Sequence, residues 1–168
     1  MSQQTVLITG TGVGGLGYAL AMAFHRRGYR VIATDKHSET SESFKSVENV
    51  DFLELDVTSP QSISKAFEIV SEKISMRGID FLVNNAGYGY TMPLLETDIN
   101  EAKKVFDVNV WGALAVTQVF APLVRNANGT VVNIGSVGGV FHTPWIGESI
   151  KPSNLSLPLT MIMLLYEN

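Results

Sequence analysis

Five glycines fall within the eight residues Gly10 to Gly17, directly after the apolar run Thr5-Val-Leu-Ile-Thr9. A helix-period stretch follows, with Leu16, Ala19, Leu20, Ala23 and Phe24 recurring at i, i+3, i+4, i+7 and i+8. Strand, glycine turn and helix in that order can hold a dinucleotide. Bare glycine lets the backbone approach a pyrophosphate, and a helix start offers free N–H groups and a partial positive charge. Glycines also make tight turns for purely structural reasons, so the context, not the glycine count, favours a nucleotide. Asp35 ends the second apolar run, Arg30-Val-Ile-Ala-Thr34. In an open α/β fold the end of this strand faces the adenosine ribose. A carboxylate there accepts from both ribose hydroxyls and repels a 2′-phosphate, which favours NAD. Lys36 pulls the other way, because a cation pairs with that phosphate and favours NADP. A solvated turn would also account for both residues, and the preference stays open.

These groups need elements to position them. Short β-branched runs alternate with longer helix-period segments, the pattern of βαβ units around a parallel sheet. Val50 to Leu55, Ile79 to Asn84 and Thr130 to Ile134 read as the third, fourth and fifth strands. Gly28 is placed to end the first helix. Ser59-Pro60 is a helix start, in which serine caps and proline fits the first turn. Ile63, Ala66, Phe67, Val70 and Ile74 supply that helix's buried face. Asp98 and Glu101 have the spacing of a capping box. A long helix is expected from about Ile99 to Arg125, broken near Gly112 or Pro122.

The chain has 168 residues and 18.3 kDa, enough for one domain of ordinary size. Hydrophobic residues make up 45% and charged residues 17%, a mix that excludes general disorder. A net charge of −4 leaves no basic surplus for a phosphate backbone, so nucleic acid is not an expected partner. There is no cysteine, which excludes disulfides, thiolate nucleophiles and zinc-thiolate sites. His25, His37 and His142 have no metal-ligand spacing, and no metal site is expected. No leader or membrane-spanning run is expected, and the cytoplasm is the expected location.

The glycine turn resembles the Thr-Gly-x-x-x-Gly-x-Gly signature of the short-chain dehydrogenases/reductases. It carries one extra residue: Gly10, four residues, then Gly15-Leu16-Gly17. Leu55-Asp56-Val57-Thr58, Asn84-Asn85-Ala86-Gly87, Asn109-Val110-Trp111-Gly112 and Asn133-Ile134-Gly135-Ser136-Val137 follow in the family's order. The extra glycine and the run Phe24-His25-Arg26-Arg27-Gly28-Tyr29 look closest to the acyl-dihydroxyacetone-phosphate reductase-like branch, which implies NADP. The resemblance implies a doubly wound, Rossmann-like α/β fold with strand order 3-2-1-4-5. It also implies NAD(P)-dependent hydride transfer between a carbonyl and an alcohol. Gly10, Gly15, Leu16 and Gly17 would then border the pyrophosphate. Asp56 would accept from the adenine amino group beside Val57. Asn85, Ala86 and Gly87 would form the turn beside the cofactor. Ser136 would hydrogen-bond the substrate carbonyl, and Asn109 would support a water in the proton relay. Without the resemblance, Ser136 and Asp56 read as turn residues, and Asn109 as a side chain satisfying backbone groups at a helix irregularity.

The family's Tyr-x-x-x-Lys motif is missing. Ser149 stands at the tyrosine position and Ser153 at the lysine position, while Lys151 is off register beside Pro152. The expected organisation is a dinucleotide-binding domain over 1–147 and a divergent tail over 148–168, with the last part of the family's fold absent. A catalytically inactive nucleotide-binding remnant, or a truncated product, is the alternative to an enzyme. Pairing of two copies through the helix at 99–125 is a further expectation.

Overall fold

Parallel strands are covered on both faces, so their sequences read as nearly unbroken apolar runs. In the computed structural model, which describes residues 3–74 and 77–136, five strands form one parallel sheet, of which the inner three are such runs. The five are β1 (Thr5–Thr9), β2 (Arg30–Asp35), β3 (Val50–Glu54), β4 (Phe81–Asn84) and β5 (Thr130–Asn133). Their order is β3-β2-β1-β4-β5, as the resemblance implies. The helices are α1 (Leu16–Arg26), α2 (Pro60–Ile74), α3 (Ile99–Phe106) and α4 (Ala113–Asn126). Strand residues alternate between two cores. Leu7, Ile32, Leu82 and Val131 pack with α2 and α4, through Ile63, Val70, Val116 and Phe120. Val6, Ile8, Val31, Ala33 and Val83 pack on the other face with Ala21 of α1. A one-residue slip of any strand would exchange these sets.

The caps match the sequence pattern closely. Ser59 Oγ accepts from the Ser62 N–H (3.2 Å), with Pro60 opening α2. Gly28, at φ +83°, closes α1, where the N–H groups of Gly28 and Tyr29 reach the carbonyls of His25 and Phe24. That is a Schellman motif. Asp98 caps α3 by accepting from the N–H groups of Asn100 (2.7 Å) and Glu101 (3.4 Å). The Glu101 carboxylate takes Lys104 Nζ (2.6 Å), so the reciprocal half of the capping box gives way to an ion pair.

Three expectations need correction. The buried face of α1 is carried by Gly17 and Ala21, whereas Leu16 is 55% exposed and Ala19 is exposed. The helix approaches the strands so closely that small residues, which a hydrophobic pattern weights little, make the contact. The long helix does break near Gly112, but as a π-helical segment, Asp107–Gly112, that joins α3 to α4. Pro122 lies inside α4 without ending it. Pro122 and Gln118 are both exposed, so water can satisfy the Gln118 carbonyl that lacks an N–H partner. Strand boundaries shift as well: β3 ends at Glu54, β4 begins at Phe81 and β5 ends at Asn133.

The helical stretch 99–126 is long and apolar enough to cross a membrane by length and composition alone. The core helix of a folded domain passes the same test, and here Val116, Phe120, Leu123 and Val124 are buried against the sheet side. His142, Ser149, Lys151, Pro152, Ser153 and the tail at 148–168 lie outside the described residues.

Candidate dinucleotide-binding and active site

β1 and β4 are neighbours whose chains leave the sheet toward opposite faces, which makes their carboxyl ends the switch point of the fold. Thr9, the last residue of β1, locks that point. Its Oγ1 accepts from the N–H groups of Asn85 and Ala86 (3.0 Å each) and donates to the Val83 carbonyl (3.4 Å). Asn85 Nδ2 returns the contact, donating to the carbonyls of Thr9 (2.9 Å) and Gly10 (2.7 Å). Thr11 ties the turn to β2, with its N–H (3.0 Å) and Oγ1 (3.3 Å) both donating to the Thr34 carbonyl.

The glycines make this closeness possible. Gly10 has φ +70°, and a Cβ there would stand 2.7 Å from Ala86 Cα. A Cβ on Gly17 would collide with the Gly10 carbonyl oxygen and the Asn85 amide. Gly15 is the N-cap of α1, and among the described residues no side chain caps that helix. The N–H groups of its first turn are therefore open to an anion. Val13 is 67% exposed and Leu16 55% exposed on the flank of the turn.

Asp35 sits at the carboxyl end of β2, only 8% exposed. Its Oδ1 accepts from the His37 N–H (3.1 Å), and its Oδ2 lies 3.5 Å from where a Cβ on Gly12 would be. The carboxylate thus faces the glycine turn, while Lys36 is exposed. Asp56 forms its own turn: Oδ1 accepts from the Thr58 N–H (2.9 Å) and Oγ1 (2.7 Å), and Ser62 Oγ accepts from the Asp56 N–H (3.0 Å). Val57 is buried against Gly112, where an added Cβ would be 2.7 Å from Val57 Cγ2. This contact ties the turn after β3 to the π segment.

Asn109 projects from that segment onto the loop after β4. Its Nδ2 donates to the Tyr88 carbonyl (2.9 Å) and its Oδ1 accepts from the Tyr88 N–H (3.1 Å). Gly87 lies beneath, with its would-be Cβ 3.1 Å from Asn109 Oδ1. Ser136 is exposed and follows β5 by three residues, reaching the same carboxyl edge on a separate element. The motifs contain Thr9, Thr11 and Asn84 but give them no role of their own, and Thr117 lies outside them. A threonine closing a strand immediately before a glycine turn was the available signal for Thr9.

Known proteins resemble this chain in sequence and in fold. The family described as short chain dehydrogenase matches residues 4–148. The short-chain dehydrogenase PC-15 of Penicillium crustosum is 41% identical over 163 residues, 96% of this chain and 60% of its own. An NADPH-dependent 1-acyldihydroxyacetone phosphate reductase of Schizosaccharomyces pombe is 35% identical over 136 residues, 81% of this chain and 45% of its own. The solved structure of ElxO with NADP bound superposes with a TM-score of 0.78 at 29% identity, covering 86% of this chain and 60% of that one. The chain spans about 60% of the length of the first of these relatives. Its sequence and its sheet agree: the chain belongs to the short-chain dehydrogenase family.

Proposed function

We propose that residues 1–147 form the unit that binds an adenine dinucleotide, NAD or NADP, and that the chain is built for hydride transfer between a carbonyl and an alcohol. The observation that carries this is the uncapped start of α1 behind a floor where Gly10 and Gly17 leave no room for a side chain. Those features fit a pyrophosphate, which needs close backbone approach and N–H donors. Gly15 and Leu16 flank the same approach. Asp35 keeps an oxygen on the turn side for ribose hydroxyls, and Asp56 has Oδ2 left for the adenine amino group beside Val57. Asn85 and Ala86 hold the switch point against the turn, and Gly87 leaves room for Asn109. ElxO holds NADP and the yeast relative is named for NADPH, so exposed Lys36 has a 2′-phosphate to meet, against Asp35.

When bound, the nicotinamide supplies or accepts the hydride. Ser136 donates a hydrogen bond to the carbonyl oxygen as negative charge grows there. The side chain of Asn109 spends one proton and one lone pair on Tyr88 and keeps one of each for a water. Calorimetric titration with NADH and NADPH tests the binding site. Gly15→Val puts a branched side chain where its Cβ already lies 3.1 Å from the Gly12 carbonyl oxygen and should abolish binding. Equal affinity of wild type and variant would reject the site.

A second reading, a dinucleotide binder without turnover, has one specific observation behind it. Ser149 and Ser153 stand where the family's tyrosine and lysine belong. Loss of a general acid removes roughly 10²–10⁴-fold in rate. NAD(P)H oxidation with a panel of ketones should therefore be very slow. Robust turnover that disappears in Ser136→Ala would decide for the enzyme, with another proton donor.

A further inference from the structure

Asn84 and Asn85 are chemically identical neighbours with opposite tasks. Strand alternation separates them. Leu82 faces the core of α2 and α4, so Asn84, two residues on, faces α4. Val83 faces the core of α1, and Asn85 reaches the glycine turn on that side. Asn85 serves the dinucleotide side of the switch point. Asn84 serves the other side, where β5 leaves the sheet toward Ser136.

The contacts of Asn84 define its orientation. Thr117 Oγ1 spends its only proton on the Ala113 carbonyl (2.8 Å), so it meets Asn84 as an acceptor. Asn84 must therefore present Nδ2, which donates to Thr117 Oγ1 and to Asn133 Oδ1, each at 2.8 Å. Asn133 is its register partner at the end of β5. The Asn84 main-chain carbonyl also accepts from the next residue of that strand exit, the Ile134 N–H, at 2.9 Å. Asn84 thus grips the exit of β5 twice, with its side chain three residues before Ser136 and with its main chain two residues before it.

The grip has a cost. Asn84 is 5% exposed, and among the described residues its Oδ1 is buried without a hydrogen-bond partner. An apolar side chain would escape that penalty, so packing alone does not account for an amide here.

We propose that Asn84, with Asn133, is a positioning residue that sets where Ser136 places its hydroxyl. The proposal rests on the reading that Ser136 hydrogen-bonds a substrate carbonyl. It separates the two asparagines by function: loss of Asn84 loosens the carbonyl site and leaves the dinucleotide site intact.

The test uses the full chain loaded with NADP and acetophenone carrying carbon-13 at its carbonyl. A hydrogen bond from Ser136 moves that carbon resonance downfield, and Ser136→Ala removes the displacement. Asn84→Ala and Asn133→Ala should each lose the displacement while calorimetry shows an unchanged NADP affinity. Asn133→Asp retains an oxygen to accept from Asn84 Nδ2 and should keep the displacement. If Asn84→Ala does not fold, the Asn133 pair decides. A displacement that survives in Asn133→Ala overturns the proposal. So does a loss in step with NADP affinity, which marks a general structural role. Bound NADP with no displacement in the wild type overturns it as well. Absence of NADP binding in the wild type instead removes the proposed function beneath it, and the proposal with it.

Discussion

Replacing Thr9 by valine asks whether hydrogen bonds or packing hold the switch point. Thr9 is 2% exposed, and its hydroxyl makes three bonds: two accepted, from Asn85 and Ala86, and one donated, to Val83. Valine keeps the volume and strands the N–H groups of Asn85 and Ala86, while the Val83 carbonyl, which lies in the β1–β4 ladder, loses only a second bond. A stranded buried group costs about 1–3 kcal/mol. Asn85 and Ala86 are only half-buried, and the bond to Val83 is long at 3.4 Å, so the low end applies. The sum is roughly 2–4 kcal/mol. Thr9→Ser makes the opposite change, keeping the hydroxyl and losing one buried methyl, at about 1 kcal/mol. At about 2–4 °C per kcal/mol for a domain near this size, valine should lower Tm by roughly 5–15 °C and serine by roughly 2–4 °C. Thermal unfolding followed by circular dichroism, at one pH and protein concentration, gives both values. The order matters more than either magnitude. A valine variant that melts with or above the serine variant would refute the claim that these bonds dominate.

Further outcomes follow from other contacts. Asp35→Ala should raise NADP affinity relative to NAD by about 1–2 kcal/mol, because a shielded charge facing the 2′-phosphate is removed; an unchanged ratio of the two dissociation constants means Lys36 decides instead. Asp51 joins β3 to Arg30 Nη2 (2.9 Å) and Lys73 Nζ (2.6 Å); burial opposes its charge, but the hydrogen bonds and charges of Lys73 and Arg30 outweigh burial and hold its carboxyl below the ordinary 3.8. The stability it adds is present above the unfolded value and lost as pH falls through the lowered folded one. Wild type should therefore melt above Asp51→Asn near neutral pH, and the gap should close in acid; a gap independent of pH excludes the ion pairs as its source. Trp111 (58% exposed) and Leu114 (48% exposed) stand one turn apart on the 99–126 stretch, and we expect two copies to pair there. Light scattering should then show a dimer that Trp111→Glu splits, and a wild-type monomer rejects the pairing.

Much of the fold was legible because the inner strands are buried on both faces. β1, β2 and β4 are apolar runs, the edge strand β3 carries Asp51 and Glu54, and Ser59-Pro60, Gly28 and Asp98 mark helix ends by local chemistry that needs no tertiary partner. The face of α1 was misread for a physical reason. Hydrophobic periodicity weights Leu16, yet a helix pressed against Gly10 and Asn85 turns its smallest residue, Gly17, inward. Pro122 was read as a possible break, but whether a proline ends a helix depends on whether its orphaned carbonyl can reach water. Exposure is a tertiary property.

The site divides along the same line. The glycines after β1 and the acid that ends β2 can be placed from the sequence because strand ends and backbone freedom are local properties. The partners of Thr9 cannot, since the contact spans 76 residues and exists only once β1 and β4 are in register. The same register makes one asparagine into two tools. Period-two alternation sends Asn84 toward α4 and Asn85 toward α1, so a motif written as two identical letters encodes one clamp on each side of the switch point. Exchanging either for alanine removes its amide and breaks only its own side. The single variants Asn84→Ala and Asn85→Ala are thus expected to separate carbonyl binding from dinucleotide binding. A pattern scored letter by letter cannot contain that asymmetry, because it arises from the pleat of β4 rather than from the residues themselves.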